Sequence, residues 1–504
     1  MIPTSTNVQV KTSEKIGTQA AIAVMVVEGA ELSQGAVRLL DSELRRALWR
    51  LRDAELSKGK SREVVADLVG HGKLIRRLLV AGLGDVKKLS VNAVRDAGGA
   101  IAKYARQNQL RSVAIVVPEL PSMSAQDAAG AAVEGFLLAS FRYREYRGTA
   151  KKNGTDEPVM LTMVSATNVS SAIRRAMVVA EAQNFARTIA SRPGNDINPV
   201  TLAAVAQKMS RSVGLGCRVL DEKQLAKLKM GGLLAVGGGS ITTPPRLIVL
   251  EHKPKITRKG TRPVLLIGKA ITFDTGGVSI KPAEKMGRMV FDKCGGMAVL
   301  GAMVAIARLK LPVHVVGILA AAENHISHRA YRPGDILRMH NGVTVEVTNT
   351  DAEGRLVLGD ALAWGIEMYG PRVCVDLATL TGGVSVALGR GMAGIMTNDQ
   401  KLVDRLIEVG AGQGEKMWQL PLPDEPQEML KSDYADIVNS SGRDAQPLQG
   451  AAFLSFFVPA NGKVPWAHLD IAGVADTDRD LPLYSKGATG WGVRTLVRWL
   501  EEGG

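Results

Sequence analysis

The sequence predicts a two-domain α/β protein, and three observations carry that prediction. At 504 residues the chain is longer than one hydrophobic core ordinarily organises. Apolar, β-rich runs alternate with helical-period segments along its length, the pattern of strands joined by crossover helices. The alternation is broken at Arg192-Pro-Gly-Asn-Asp-Ile-Asn-Pro199, where two prolines and a Gly-Asn-Asp cluster stop any helix. The chain therefore divides into an N-terminal α/β domain over residues 1–170, a linker helix over 171–191 and a larger domain over 192–504.

In the first domain the runs Ala21–Val27, Leu78–Ala81, Ser112–Val117 and Val159–Val164 read as strands, with Ala36–Arg52 and Val91–Gln107 as helices between them. The polar stretch Arg142–Pro158, with Gly148 and Gly154, reads as an exposed loop, and Ser170–Ala190 as a helix. Beyond the break, strands are expected at Cys217–Leu220, Arg246–Glu251, Pro263–Ile267, Val313–Leu319, Thr344–Thr348 and Arg372–Asp376. Helices are expected at Gly295–Leu309 and Arg355–Tyr369, giving a mixed, mostly parallel sheet flanked by helices on both faces.

Composition narrows the class. Hydrophobic residues make up 46% and charged residues 22%, as in a soluble globular protein and unlike a disordered one. The apolar runs Ala20–Val27 and Val315–Ala322 are too short to span a membrane, and Glu28 with no small-x-small site argues against a signal peptide. Cys217, Cys294 and Cys374 form no Cys-x-x-Cys pair and suit the reducing cytoplasm. The net charge of +14 is spread along the chain in short clusters such as His252-Lys-Pro-Lys255 and Lys151-Lys152, and aromatics are 4%, too few for a base-stacking platform.

In parallel sheets, sites form past the carboxyl ends of strands. Pro263–Ile267 runs into Gly268-Lys-Ala-Ile-Thr-Phe-Asp-Thr-Gly-Gly277, followed by Lys281 and Asp292, and Thr344–Thr348 runs into Asn349-Thr-Asp-Ala-Glu-Gly-Arg355. Asp351 and Glu353 are two apart and would face the same way on an extended segment. Gly276 and Gly277 permit a tight path that brings Asp274 near them. Gathered in one pocket, Asp274, Asp292, Asp351 and Glu353 cannot all stay ionised without cations. Two divalent ions would balance them, and ions about 3.5–4 Å apart can make a shared water a nucleophile near neutral pH.

Other chemistries fail on spacing. Pro263 stands where a phosphate loop ahead of Gly268-Lys269 needs its leading glycine, and Ala270 replaces its Ser/Thr. Gly237-Gly-Gly-Ser240 fits neither a dinucleotide fingerprint nor a nucleophile elbow, and His-Glu-x-x-His does not occur. His325, His328 and His340 read as surface or supporting residues, and Cys294 as a buried thiol.

The string Asn349-Thr-Asp-Ala-Glu-Gly-Arg-Leu356 resembles the signature of the leucyl aminopeptidases of the dinuclear-metal type. The likeness extends through Gly268–Pro282, Ala321–Asp335, Leu377–Gly383 and Gly487–Arg494, and more loosely into the N-terminal domain. It implies a macro-domain-like N-terminal sheet, a C-terminal catalytic domain, a homohexamer, peptide substrates and release of leucine-like N-terminal residues. It implies two Mn or Zn ions per subunit, one held by Lys269, Asp274, Asp292 and Glu353, the other by Asp274, Asp351 and Glu353. Lys281 would polarise the scissile carbonyl, and Arg355 would hold a bicarbonate as general base. Lys293, after Asp292, and Gln449 depart from the residues usual in the family. Met289, Thr379 and Gln449 would line the pocket for the first side chain. A lysine ligates a metal only when neutral, which from a pKa near 10.4 to below 7 costs roughly 4–5 kcal/mol, so Lys269 needs a dication beside it. The alternative reading is a DNA-binding accessory protein on the same scaffold, which the basic balance permits and does not require.

Overall fold

A computed structural model of the chain describes residues 7–30, 34–71, 74–146, 158–255, 260–459 and 463–504. They form two compact units, Pro3–Asn184 with Asp478–Lys486, and Phe185–Thr477 with Gly487–Gly504. Both are α/β, as the sequence predicts.

The first unit is built on strands β1 (Val8–Ser13), β2 (Ala21–Val27), β3 (Val64–His71), β4 (Leu74–Gly84), β5 (Ser112–Val116) and β6 (Val159–Val164). Their order is β1-β6-β5-β2-β4-β3, parallel throughout except for the antiparallel β3–β4 pair. β2 is apolar at every position because helices cover both its faces. Ala21, Ala23 and Met25 join one core with helices Val91–Gln107 and Ala125–Ser140, while Ile22, Val24 and Val26 join another with helix Ser42–Asp53. The edge strands β1 and β3 escape the sequence reading because they are half-exposed and interspersed with polar residues. The expected helix Ala36–Arg52 is two helices, Gln34–Leu39 and Ser42–Asp53. Asp41 separates them by capping the second, its carboxylate accepting from the Leu44 N–H at 3.0 Å. Most of the expected loop Arg142–Pro158, including Lys151-Lys152, lies outside the described residues.

Helix Ala125–Ser140 also escaped the sequence reading, being apolar on nearly every face. It packs backbone to backbone on helix Val91–Gln107: a Cβ on Gly135 would sit 1.9 Å from the Arg95 carbonyl oxygen. Beside that crossing, Arg95 and Glu134 form a buried ion pair at 2.7 Å.

The strands of the second unit are β7 (Gly216–Leu220), β8 (Arg246–His252), β9 (Val264–Asp274), β10 (Val315–Asn324), β11 (Ile336–Arg338), β12 (Thr344–Glu346), β13 (Val373–Ala378), β14 (Ala393–Thr397), β15 (Met417–Gln419), β16 (Ile437–Val438) and β17 (Trp466–Asp470), before a terminal two-residue pair. The main sheet runs β15-β14-β17-β13-β9-β10-β8-β7, parallel at its centre and antiparallel at β14–β17, β10–β8 and β8–β7. Its two faces are covered by different helices. Gly296 of helix Cys294–Leu309 lies against Ala270, and Gly365 of helix Glu353–Tyr369 against Leu265 and Ile267, residues of opposite parity on β9. The segment Met286–Leu309 has the length and apolar character of a membrane span, which the short-run reading overlooked, but it is mostly buried inside this unit.

Two expectations are corrected. The strand expected to end at Ile267 continues to Asp274, so Lys269 and Asp274 lie on β9 itself. The strand expected over Thr344–Thr348 does not join the main sheet; β12 belongs to a small sheet ordered β11-β12-β16.

The helix crossing gives a stability prediction. Gly135→Ala should cost about 1–3 kcal/mol, because backbone cannot yield as a side chain can. At roughly 2–4 °C per kcal/mol for a unit of this size, calorimetry should show a clear drop in the first unit's melting temperature; an unchanged value would refute the close packing.

Candidate metal centre

The register of the main sheet opens the site. β13 pairs with β9 from Val373↔Val264 to Leu377↔Gly268, whereas β10 stays with β9 to its end. Lys269 is thus the first residue of β9 past its pairing with β13, and its Nζ donates to the carbonyl of Thr379, just beyond β13, at 2.9 Å. Two helix starts approach from opposite faces. Glu353 begins helix Glu353–Tyr369, and Asp292 lies in the 3₁₀ segment Met286–Lys293 leading into Cys294–Leu309. Lys269 Nζ stands 2.7 Å from Glu353 and 2.9 Å from Asp292. This approach requires glycine at 354, where a Cβ would come within 2.7 Å of the lysine Nζ.

The second half of the cluster comes from loops. Gly276 and Gly277 adopt φ of +88° and +64°, left-handed values that favour glycine, and a Cβ on Gly276 would meet Asp351 at 2.9 Å. Lys281 pairs with Asp274 at 2.8 Å and also with Asp351. Asp351 and Glu353 do not lie on an extended segment: Asp351 is in a turn and Glu353 is already helical. Their carboxylates converge all the same, with oxygens of Asp274, Asp351 and Glu353 all within 4.8 Å of one another.

The electrostatics are those of crowded anions. Burial and the neighbouring Asp274 push Glu353 up to about 7 and Asp351 up to about 6. Burial likewise raises Asp292, against the pull of Lys269. For Lys269 burial works against the charge, yet Asp292, Glu353 and Asp274 hold its ammonium above the ordinary lysine range; Lys281 is held likewise by Asp274, Glu353 and Asp351. Two ammoniums face four carboxylates, so positive charge is in deficit. Asp292 Oδ2 is buried with no hydrogen-bond partner among the described residues. Hard oxygen donors, surplus negative charge and an orphaned carboxylate oxygen fit divalent ions.

Arg355, one turn into the helix, is buried and donates from Nη1 to the carbonyl of Asn439 at 2.8 Å. Burial pushes its guanidinium down to about 10, and its Nε has no hydrogen-bond partner among the described residues. Thr379 donates its hydroxyl to Asp292 Oδ1 at 2.7 Å. Gln449 is buried and spends its amide on its own loop, accepting from Ser441 N–H at 3.1 Å and donating to Asp444 O at 2.5 Å. Met289 is half-buried in the 3₁₀ segment that carries Asp292. His325 and His328 are exposed, and His340 bonds Leu228 O and Glu367. Cys294 is buried and its thiol is pushed up by that burial. Lys293 is buried too, pushed down by burial to about 8, and donates to the carbonyls of Arg192 and Val290.

Three supporting residues were missed in the sequence. Asn324 donates to Asp274 Oδ1 at 2.8 Å and to Thr350 O at 3.0 Å, and a β-bulge at the end of β10 sets it opposite Asp274. Tyr331 donates to the same Thr350 carbonyl at 2.7 Å. Asn439 follows β16. Asn324 and Tyr331 carry a signal, since both lie in the Ala321–Asp335 stretch of the family likeness; Asn439 is about ninety residues from the loop it holds.

Residues 184–497 match the catalytic domain of the cytosol aminopeptidase family and residues 23–150 its N-terminal domain. The chain belongs to the cytosol aminopeptidase family. A probable cytosol aminopeptidase of Roseiflexus castenholzii is 43% identical over 432 residues, covering 85% of this chain and 87% of the relative. One from Aquifex aeolicus is 37% identical over 486 residues, 95% of each chain. Among solved structures, the bottromycin maturation enzyme BotP in complex with Mn superposes with a TM-score of 0.84 at 32% identity, covering 96% of this chain and 99% of that one. A lysine-to-glutamate mutant of tomato leucine aminopeptidase gives a TM-score of 0.86 at 31% identity, covering 99% and 97%. Membership of this family makes the chain a metal-dependent peptidase, a hydrolase with the family's two-domain α/β fold.

The raised carboxylates imply a pH dependence. Glu353 and Asp351 bind protons more tightly in the folded chain than in the unfolded one, so their contribution favours folding at low pH and is lost as pH rises through about 6 to 7. With chelator present, the wild-type melting temperature should fall between pH 5 and pH 8, and Glu353→Gln should flatten that fall. Asp360, raised by burial to about 7, titrates in both proteins and cancels in the comparison. Identical slopes in the two proteins would contradict the assignment.

Proposed function

We propose that this aminopeptidase releases N-terminal residues, leucine-like ones preferred, from peptides at a centre of two divalent ions. The observation that carries the reading is the convergence of Asp274, Asp351 and Glu353 within 4.8 Å, beside Asp292 and two lysines. Lys269, Asp274, Asp292 and Glu353 would hold one ion, and Asp274, Asp351 and Glu353 the other, with Mn or Zn as the metal. When bound, the ions supply Lewis acidity, bringing the pKa of a water between them near neutrality and polarising a carbonyl.

The chain's own residues do the rest. Lys281 is half-buried, and the carboxylates keep it an ammonium, so it is a charged donor suited to the oxyanion that develops on the scissile carbonyl. Arg355 offers a planar fork with a buried, unengaged Nε, which suits a bicarbonate serving as general base. The substrate's free α-amino group would bind one of the ions as a neutral ligand, a physical reason for cleavage at the N-terminus. Met289, Thr379 and Gln449 would line the pocket for the first side chain, with Met289 the most apolar of the three, Thr379 also bonded to Asp292 and Gln449 to Asp444. A cytoplasmic location is proposed from the names of the relatives and the three free thiols, and a homohexamer from family membership, to be checked by light scattering.

Lys281→Ala should lower kcat/KM by roughly 10²–10³ while calorimetry still finds Mn²⁺ binding; near-wild-type turnover would remove Lys281 from the mechanism. Hydrolysis of a panel of aminoacyl amides should stop on chelation, return with Mn²⁺ or Zn²⁺, and be fastest for leucine-like residues. Undiminished hydrolysis after complete metal removal would overturn the two-metal reading.

A further inference from the structure

Asn439 has no exposed surface and every polar atom engaged. Its place follows from the small sheet: β16 pairs in parallel with β12, Val345↔Ile437 and Glu346↔Val438, and Asn439 N–H extends that ladder by donating to Glu346 O at 2.9 Å. β12 ends at Glu346, Val347 still exchanges backbone bonds with Gly334 and Asp335 on the other side, and beyond Val347 the Asn439 side chain takes over. Its Oδ1 accepts from Thr348 N–H at 2.8 Å and Asn349 N–H at 3.3 Å, while the Thr348 hydroxyl, 3.1 Å away, has its shorter bond to Ser440 O at 2.5 Å. Its Nδ2 donates to Asn349 O at 2.7 Å and Ala352 O at 3.4 Å. Donors around one atom and carbonyls around the other fix which is oxygen and which nitrogen. The main-chain carbonyl of the same residue takes the guanidinium of Arg355.

We propose that Asn439 is the positioning residue that sets the conformation of residues 348–355, so that Asp351, Glu353 and Arg355 converge. The inference rests on the two-metal reading for its consequence and on these hydrogen bonds for its mechanism. A turn that leaves a strand at Glu346 and enters a helix at Glu353 has little repeating backbone pairing of its own. One primary amide supplies the missing donors and acceptors. An isosteric carboxylate cannot, because its second oxygen would face two carbonyl oxygens.

The test uses the full chain with Asn439→Asp. Without metal, hydrogen exchange at the Thr348 and Asn349 amides should speed by at least about tenfold while the rest of the unit and its melting are little changed. By calorimetry, Mn²⁺ should bind about 10–100-fold more weakly, as when a partner that orients a ligand is lost. Unchanged local exchange overturns the proposal; so does a broad loss of stability with wild-type Mn²⁺ affinity, which is the signature of a merely structural residue. If the wild type takes up no Mn²⁺, the metal reading fails, and the exchange measurement still decides the role of Asn439. Should Asn439→Asp not fold, Asn439→Ala, which takes the acceptor from the Thr348 and Asn349 amides without adding charge, must speed the same exchange; no change in Asn439→Ala overturns the proposal.

Discussion

The ammonium of Lys269, wedged between Asp292 and Glu353, fixes the arrangement on which the rest of the site depends. It sits where β9 loses β13 as a neighbour, and the two helices it touches lie on opposite faces of the sheet. A single buried charge therefore gauges the height of both helix starts above the strand. Removing it would leave two buried carboxylates without their counter-ion, the costly half of a broken buried pair. The helix start also suits Glu353, since its free N–H groups favour an anion. The need for glycine at 354 follows from the same wedge.

Around that wedge, neutral amides and hydroxyls do the aiming. Asn324, Tyr331 and Thr350 knit the end of β10 to the loop that carries Asp351, and Thr350 exchanges hydrogen bonds with Ser279 on the loop that leads to Lys281. Charge supplies the energy of the cluster, but directional bonds to fixed backbone supply its geometry. Carboxylates that repel one another would otherwise relax apart, and these bonds stop them.

What was legible in the sequence was local. Both domains and most central strands were visible because burial on two faces demands continuous apolar runs. Lys269, Asp274, Asp351 and Glu353 were visible because they lie in two short strings. What stayed hidden was register and partnership across distance. No local pattern says that β9 outlasts β13, which is why the sequence alone ends the strand at Ile267 and puts the charged residues on a loop. Nor does anything in Thr344–Thr348 say that its neighbour is Ile437–Val438 instead of the main sheet. The edge strands β1 and β3 look like polar chain because an edge need not be apolar. The bonds of Thr379 to Asp292 and of Gln449 to Asp444 are likewise invisible in the sequence, since each joins residues that no local pattern links.

The two lysines also bear on why the centre calls for dications and not simply for more lysine. Each ammonium already satisfies two carboxylates, yet Glu353 remains raised to about 7 and Asp292 Oδ2 remains unpartnered among the described residues. A third lysine would bring another long apolar stem into a space that carboxylates already fill. A divalent ion brings twice the charge in a fraction of the volume and binds several oxygens at once. It also changes what Lys269 can be, because the surroundings that now hold its proton would include a stronger cation. Arginine at 269 could pair with the carboxylates equally well, but it could never give up the proton. On the proposed two-ion reading, lysine is thus the residue that can pair with these carboxylates as an ammonium and, as a neutral amine, would ligate an ion among them.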